Sequence, residues 1–415
     1  MNNDRITVLG AGLQGVCVAL ALAQLGYRVN LFERMEDCLT QASLRNEGKI
    51  HLGFVYANDS SFQTADLMLR SALHFGPNIE AFLGQKVDWS QCLSNPFVYA
   101  IAQDSLLSTQ QLMQHYQQLE KRYHSIIQDE QLHYLGARPS SLWSSLNLRD
   151  LSPHILCDRL SGAILSCERA LDLVKFRREV RRALHGHPQI TLHYGHTVES
   201  VQRTATGFCV AGTVQEHQER KQWRWESDIV VNCLWGGRLK VDREVGVEPV
   251  GKWVYRLKYR ILGQTAEHLQ GLPSVTYVLG PYGDVVTWPD SSTIYVSWYP
   301  VCMQGWSAEL EPPVGWEPHC SGQVETPTQQ WIAQTALSEF NRYISGLIDL
   351  KVDQVDAGII FSWGETDIHD PGSELHKRHR VGVHAYDGYL SIDTAKFTCA
   401  PYFAAQAASL ITAGF

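Results

Sequence analysis

The feature that most constrains this chain lies at its start. Arg5-Ile6-Thr7-Val8-Leu9 is a short β-rich run, Gly10-Ala11-Gly12-Leu13-Gln14-Gly15 follows it, and Leu13 to Leu25 is rich in Ala, Val and Leu without proline. Gly26 is placed to end that helix, and Tyr27 to Phe32 is a second β-like run that delivers Glu33 at its carboxyl end. Strand, tight turn, helix and second strand, closed by an acidic residue, is the order a βαβ dinucleotide-binding unit requires. Gly10 permits the sharp turn, Gly12 removes a Cβ so that the backbone can approach a pyrophosphate, and Gly15 lets the helix pack closely on the strands. The helix amino terminus, from Leu13 and Gln14 onward, presents unpaired N–H groups and partial positive charge to the phosphates. Glu33 would accept hydrogen bonds from a ribose diol and repel a 2′-phosphate, which selects FAD or NAD over NADP.

The next segment departs from an NAD-type unit. Residues 38 to 56 replace the helix such a unit places here, and they are small and polar, then abruptly apolar. Ser43, Asn46 and Gly48 offer a hydroxyl, an amide and bare backbone within a few residues, as a loop wrapping a large flat ligand requires, and His51 sits at its end. An ordinary connecting loop with a capped histidine has the same composition. Taken together, Gly10-x-Gly-x-x-Gly15, Glu33-Arg34 and Ala42-Ser43-x-x-Asn46-x-Gly48-x-Ile50-His51 resemble the amino terminus of the FAD-dependent oxidoreductases of the D-amino-acid oxidase superfamily. Within it, the flavin glycerol-3-phosphate dehydrogenases and L-2-hydroxyglutarate dehydrogenases look nearest. The resemblance implies FAD as cofactor, Arg34 beside Glu33 among its contacts, and the 42–51 stretch alongside the pyrophosphate and the isoalloxazine ring. It implies for His51 a role as proton acceptor, as a group shaping the flavin site, or as the point of a covalent flavin link.

Further along, Phe62 to Leu83 has a helical pattern, Phe97 to Ile101 is β-like, and Ser108 is a plausible N-cap for a helix with Leu112, Tyr116, Leu119 and Tyr123 on one face. These read as a lobe inserted into the nucleotide fold. The 163–184 stretch, with CERALDLVKFRREVRRAL, resembles the superfamily segment that leads back into the FAD domain. Short strands follow at 190–194, 197–201 and 207–211, and 228–237 reads as a buried strand ending in a glycine turn. The resemblance places the Val198 backbone against adenine and has Gly236 close over the dinucleotide, although Trp235 stands where the family more often has a small residue.

From Lys252 to Tyr299 long alternating strands imply an antiparallel sheet. Lys252, Val254, Arg256, Lys258 and Arg260 share one face of the first. Arg256, Lys258 and Arg260 would suit an anionic substrate, and a solvent-exposed face explains the same alternation. Residues 303–326 lack periodicity and read as a long loop or lid. Thr326-Pro327 starts a helix with Ala333, Leu337, Phe340, Ile344 and Leu347 facing inward. Near the carboxyl end, Lys396-Phe397-Thr398 before an Ala-rich helix is similar to the Gly-Gly-Lys-x-Thr of the glycerol-3-phosphate branch, with Thr394-Ala395 in place of the two glycines. Lys396 and the helix amino terminus could stabilise negative charge on reduced flavin, or Lys396 could be an exposed lysine before a helix.

A chain of 415 residues has room for two or three domains. The expected architecture is α/β: a Rossmann-like FAD-binding domain, interrupted in sequence (1–60, 190–245 and 351–415), and a substrate domain with an antiparallel β-sheet (61–189 and 246–350). A net charge of −8 argues against a nucleic-acid or anionic-membrane partner, and Arg177, Arg178, Arg181 and Arg182 read as a solvated helix face. Met1 to Arg5 shows no signal-peptide pattern, and no run reaches the roughly 18 apolar residues of a membrane span. Ten scattered cysteines without Cys-x-x-Cys fit reduced thiols in a cytoplasmic enzyme. His185-Gly-His187 and His376-Lys-Arg-His379 lack a matching ligand set, so no metal is expected. The expected activity is removal of a hydride from a carbon bearing an amine or hydroxyl in a small, anionic substrate. An NAD-dependent dehydrogenase and a non-catalytic or redox-sensing flavoprotein are the alternatives, and the oligomeric state is undetermined.

Overall fold

In a computed structural model, which describes residues 5–216, 219–280, 282–289, 291–366, 370 and 372–415, the opening residues form the middle of a sheet. Residues Met1 to Asp4, on which the leader reading rests, lie outside the described residues. Strand β1 (Ile6–Leu9) is buried at every position and has a parallel partner on each side, β2 (Val29–Phe32) and the strand Ile229–Asn232. Burial on both faces is why ITVL, VNLF and IVVN read as near-continuous apolar runs. Ile190–His193 extends the sheet beyond β2, and Tyr389–Asp393 extends it beyond Ile229–Asn232, both parallel. Gly382–Tyr386 closes that edge antiparallel. Helix α1 (Leu13–Gln24) buries every residue from Leu13 to Ala23, so it is apolar all round. It packs between this sheet, the terminal helix Ala400–Ala413 and the helix Gln63–Leu83.

The second sheet has nine strands, with Trp253–Gln264 as its spine. Lys351–Trp363 pairs antiparallel along one edge of the spine, and Met303–Ser307 and Thr293–Trp298 share the other. Gly283–Thr287, Ser274–Val278, Phe97–Ala102, Leu160–Ser166 and Trp143–Leu146 continue the sheet. The helix Thr326–Phe340 covers one face through Ile332, Ala336, Leu337 and Phe340, all buried, with Ile344 and Leu347 continuing the apolar row past its end. The helix Thr109–Ile126 begins in a full capping box at Ser108 and Gln111, and its inward face is the expected Leu112, Tyr116, Leu119 and Tyr123.

The α/β architecture is as expected, with four differences in detail. Met303–Ser307 lies inside the stretch read as a loop, but it is a strand whose irregularity comes from the left-handed Gly305 (φ +73°) and a register shift opposite Arg256 and Leu257. Ser274–Val278 runs parallel to Phe97–Ala102, so the sheet is mixed; the chain between them leaves for the first sheet and returns, which is the long crossover a parallel pair needs. Lys351–Trp363 belongs to the second sheet, and the chain re-enters the first only at Gly382, so the boundary drawn at 351 moves towards the carboxyl end. The helix Gln63–Leu83 packs into the main core against α1 and the terminal helix. A three-stranded meander, His196–Thr204, Gly207–Glu216 and Glu219–Ser227, flanks the first sheet. Its third strand turns Trp223 onto Phe32, whose ring is stacked between Trp223 at 4.7 Å and His193 at 4.2 Å. Among the described residues, no helix is long and apolar enough to cross a membrane.

The opening turn is fixed by missing side-chain atoms. A Cβ on Gly15 would sit 1.9 Å from the Gly10 carbonyl oxygen, and Gly10 itself is left-handed (φ +91°) with the Cys233 carbonyl 3.0 Å from where its Cβ would be. Gly12 differs: its φ is −67°, and an added Cβ would meet only Ser43 Oγ, at 3.4 Å. Gly15→Ala should therefore cost ~1–3 kcal/mol or more of stability, while Gly12→Ala should melt within ~0.5 kcal/mol of the parent. Thermal unfolding of the two variants without ligand measures both.

Candidate active site

Between the carboxyl ends of β1 and β2 and the second sheet lies an elongated cavity of about 430 Å³. At one end its wall is Gly10 to Gln14, Glu33 and Arg34, with Val198 from the meander and Gly236 from the turn after Ile229–Asn232. Glu33 holds this end together: Oε2 accepts the Ala11 N–H at 2.7 Å and Oε1 the Met35 N–H at 3.0 Å. Burial pushes its carboxyl pKa up, and those two donors oppose the shift. Arg34 reaches across the opening to Glu317 at 2.9 Å. Ser43 Oγ accepts the Leu13 N–H at 2.9 Å, so the loop caps α1, whose own N-cap Gly12 has no side chain to do so. Gln14 ties α1 to the terminal helix, donating to the Ala400 carbonyl at 3.1 Å and accepting from Thr394 at 3.0 Å. Gly236 faces Pro312, and Trp235 is left-handed (φ +53°) with its indole N–H on the Ile359 carbonyl.

The loop after β2 is folded by its own residues. Asn46 donates to the carbonyls of Ala42 and Ser43 and accepts the Gly48 N–H at 2.7 Å. Gly48 is outside the cavity wall; it is left-handed (φ +71°), and a Cβ there would lie 2.4 Å from the Leu171 carbonyl, so both conformation and space demand glycine. Gly15 and Thr398 are also scaffolding. Thr398 Oγ1 accepts the His51 N–H at 2.9 Å and donates to the Lys49 carbonyl at 3.3 Å.

At the other end, His51, Glu47, Lys49, Lys258, Lys396 and Phe397 line the cavity. Lys396 is not an exposed lysine: burial lowers its pKa to about 8, Glu47 opposes that, and Arg378, Lys258 and Arg256 add to it. Glu47 is half-buried, and Lys258, His51 and Lys396 hold its carboxyl well below the usual range against the cost of that burial. Burial works against the Lys258 charge, but Tyr295, Glu47 and Asp284 outweigh it and raise the pKa. Lys49 is fully committed to Asp284, 2.6 Å away, and to Thr276.

The basic row of the spine strand divides. Lys252 is exposed and pairs with Glu365 at 2.6 Å. Arg256 and Arg260 are 2 % and 8 % exposed, which rules out a solvent face. Arg260 grips Asp356 with two hydrogen bonds (2.6 and 3.0 Å) and the Leu44 carbonyl with a third, so it holds the loop in place and has little left for a substrate. Arg256 lies outside the cavity wall, donating to Tyr299 Oη at 2.5 Å and Ser362 Oγ at 3.0 Å. Only Lys258 both lines the cavity and keeps its charge directed at cavity groups. Sequence reasoning missed Glu47, which occupies an unspecified position of the loop motif, and Glu168, Tyr99, Tyr56 and Arg378, whose importance comes from burial alone. His185 does find neighbours, Asp37 and Cys38, with ligand-type atoms within 4.8 Å. Asp37 is taken by Arg177 (2.6 Å) and Arg181 (2.8 Å), so these arginines clasp a carboxylate and make the spot cationic, and burial pushes the Cys38 thiol up to about 11.

The Lys396 shift has a stability consequence. Between pH 8 and 10.5 the unfolded chain holds this proton and the folded apoprotein has released it, so Lys396 makes apoprotein stability rise with pH across that window. Lys396→Met should flatten that rise in melting temperature measured against pH.

Comparison with known proteins fits this geometry. The family model described as FAD dependent oxidoreductase (DAO) matches residues 5–408. The FAD-dependent monooxygenase FPY4 of Fusarium mangiferae is 26% identical over 288 residues, 69% of this chain and 61% of that protein, so the match spans about three-fifths of the relative's length. Glycine oxidase from Geobacillus kaustophilus superposes with a TM-score of 0.66 at 12% identity, covering 99% of this chain and 93% of that one. L-alpha-glycerophosphate oxidase from Mycoplasma pneumoniae, solved with FAD bound, gives 0.63 at 12%, covering 99% and 95%. At such identities the two structures speak for the fold. The chain's own residues suit the cofactor: a bare position at Gly12 faces the cavity, a helix amino terminus lacks a cap of its own, and Glu33 stands at the end of β2. With residues 5–408 matched by the family model, this chain belongs to the DAO family of FAD-dependent oxidoreductases.

Proposed function

We propose that the enzyme oxidises a small substrate carrying a carboxylate or phosphate next to a carbon that bears an amine or hydroxyl. FAD, when bound, supplies a two-electron acceptor that takes a hydride from that carbon. Gly10, Gly12, Leu13, Gln14, Glu33, Arg34 and Ser43 would hold its AMP and pyrophosphate end, with Val198 and Gly236 closing over it. Asn46 would shape the loop beside it, and Lys258, Lys396 and Phe397 would lie at the ring end. The positive charge of Lys396 and Lys258 would offset negative charge gained there on reduction.

Arg378 carries the substrate reading. Its side chain is half-buried, and among the described residues its guanidinium makes one long hydrogen bond, to the Phe361 carbonyl at 3.4 Å. Burial and the neighbouring Arg256 both lower its pKa, with Tyr56 and Tyr299 opposing. Among the described residues the buried Tyr56 hydroxyl has no hydrogen-bond partner. A guanidinium and a hydroxyl left in this state, next to a second arginine, are completed by an anion. Arg378 and Arg256 also act on the charge of Lys396, which lines the cavity's ring end, while Arg378, Arg256 and Tyr56 lie behind the cavity wall. The sequence relative named a monooxygenase favours a second reading, in which oxygen is inserted into the substrate and the flavin is first reduced by a nicotinamide.

Anaerobic titration of the flavin-loaded enzyme against amino acids, 2-hydroxy acids and phosphorylated alcohols tests both. At least one of these acids should bleach the flavin unaided, and its neutral ester or unphosphorylated counterpart should not. Equal bleaching by neutral compounds would refute the anion reading, and bleaching only by reduced nicotinamide would favour the monooxygenase. Arg378→Met should raise the half-saturating concentration of the active acid ~10–100-fold, the loss of a charge-assisted hydrogen bond, with flavin content unchanged.

A further inference from the structure

His51 stands between two carboxylates that come from different parts of the chain. Its Nε2 lies 3.6 Å from Glu47 Oε1, and its Nδ1 lies 3.6 Å from Glu168 Oε1. The residue is 5 % exposed, and among the described residues its Nδ1 is a buried atom without a hydrogen-bond partner at ordinary distance. The two carboxylates are not equivalent. Glu168 is fully buried and outside the cavity wall, and both its oxygens are anchored, Oε2 by the Leu52 N–H at 2.7 Å and Oε1 by the Tyr99 O–H. Glu47 is part of the cavity wall, as is His51 itself.

We infer that Glu168 fixes the tautomer of His51, with the proton on Nδ1, and that Nε2 together with Glu47 Oε1 receives the proton released when the substrate is oxidised. The inference rests on the oxidation proposed above. As the hydride leaves the substrate carbon for the flavin, the N–H or O–H bond on the adjoining heteroatom breaks. Its electron pair becomes the second bond of the imine or carbonyl, and its proton passes to the Nε2 and Oε1 pair.

The reasoning is one of donors and acceptors. An ionised carboxylate only accepts, and Glu168 cannot turn away because both oxygens are held. The ring nitrogen facing it is therefore the one that carries hydrogen, and the contact shortens to a true hydrogen bond once a substrate closes the site. With that proton placed, Nε2 and Glu47 Oε1 are two acceptors facing each other with none between them. A captured proton turns that unfavourable contact into a charge-assisted hydrogen bond. Around the pair, Lys258 and Lys396 act on Glu47, Lys49 and Tyr99 act on Glu168, and the Tyr56 ring lies edge-on to His51 at 5.8 Å. Glu168 is thus a positioning residue, and Glu47 shares the proton.

Nitrogen-15 NMR of histidine-labelled holoenzyme tests this directly, with the His51 signals assigned by their loss in His51→Gln. The parent should show a neutral ring protonated on Nδ1. In Glu168→Gln the amide oxygen stays on the Leu52 N–H, so the NH2 takes the Oε1 position between Tyr99 and His51; it turns an N–H towards Nδ1 and the ring should switch to the Nε2–H tautomer. Tyr99→Phe, which keeps the carboxylate and loosens it, should give a mixture. The rate of flavin bleaching should fall at least ~100-fold in Glu168→Gln, with flavin content and half-saturating substrate little changed. Glu47→Gln should move the acid limb of the rate profile to lower pH, because the captured proton loses its counter-charge. A parent ring protonated on Nε2, or on both nitrogens at the pH of activity, would overturn the inference, as would an unchanged tautomer and rate in Glu168→Gln. The tautomer is read without turnover; were it as expected and no compound to bleach the flavin, Glu168's part would stand and the proposed reaction would fall.

Discussion

Everything at the ring end depends on two buried ionic contacts that pin the loop after β2 to the second sheet. Lys49 reaches Asp284 on one strand, and Asp356 on another takes both Arg260 from its own sheet and Arg45 from the loop, 3.3 Å away. Removing charge from water offsets most of what such pairs gain, so their net contribution to stability is small. Their effect is on placement, because any other seating of the loop leaves a buried charge alone, at a cost of about 3–5 kcal/mol. Glu47, His51 and Ser43 lie on the loop held this way, which is how one short segment serves both ends of the cavity.

A second buried network performs the same task at the junction of the two sheets. Arg238 meets Asp242 at 3.1 Å and Asp393 at 3.3 Å, Tyr389 and Ser391 donate to Asp242, and the Trp363 indole N–H reaches Asp393 at 2.8 Å. Trp363 ends the long edge strand of the second sheet and Asp393 ends a strand of the first, so their contact registers one sheet against the other.

Much of this was legible in the residues. The turn from Gly10 to Gly15 could be read because each glycine answers a local steric demand, and the helix after Ser108 because its cap and its apolar spacing agree. What stayed hidden is of another kind. Arg256 and Arg260 alternate as a solvent face would, and only the partner strand, with Asp356 opposite Arg260 and Ser362 within reach of Arg256, makes them interior. Glu168 sits in a stretch whose local pattern gives it no distinction; it matters because Leu52 and Tyr99, far away in sequence, meet it. The strand Glu219–Ser227 escaped notice because its outward residues are nearly all polar and its inward tryptophans pack on Phe32, a contact that no local periodicity announces. Local chemistry is written locally, whereas a charge placed by tertiary pairing is not.

The neighbours of β1 carry a consequence for how the molecule is made. Its parallel partner Ile229–Asn232 is synthesised over two hundred residues later, and the helix that covers α1 comes more than three hundred residues after α1. Until Ala400–Ala413 has emerged from the ribosome, α1 has an apolar side exposed and the nascent opening turn has no floor. Contacts so distant in sequence close slowly. Assembly of the nucleotide fold accordingly waits for segments far down the chain, and the newborn chain passes through an interval in which its most apolar helix is a natural client for chaperones.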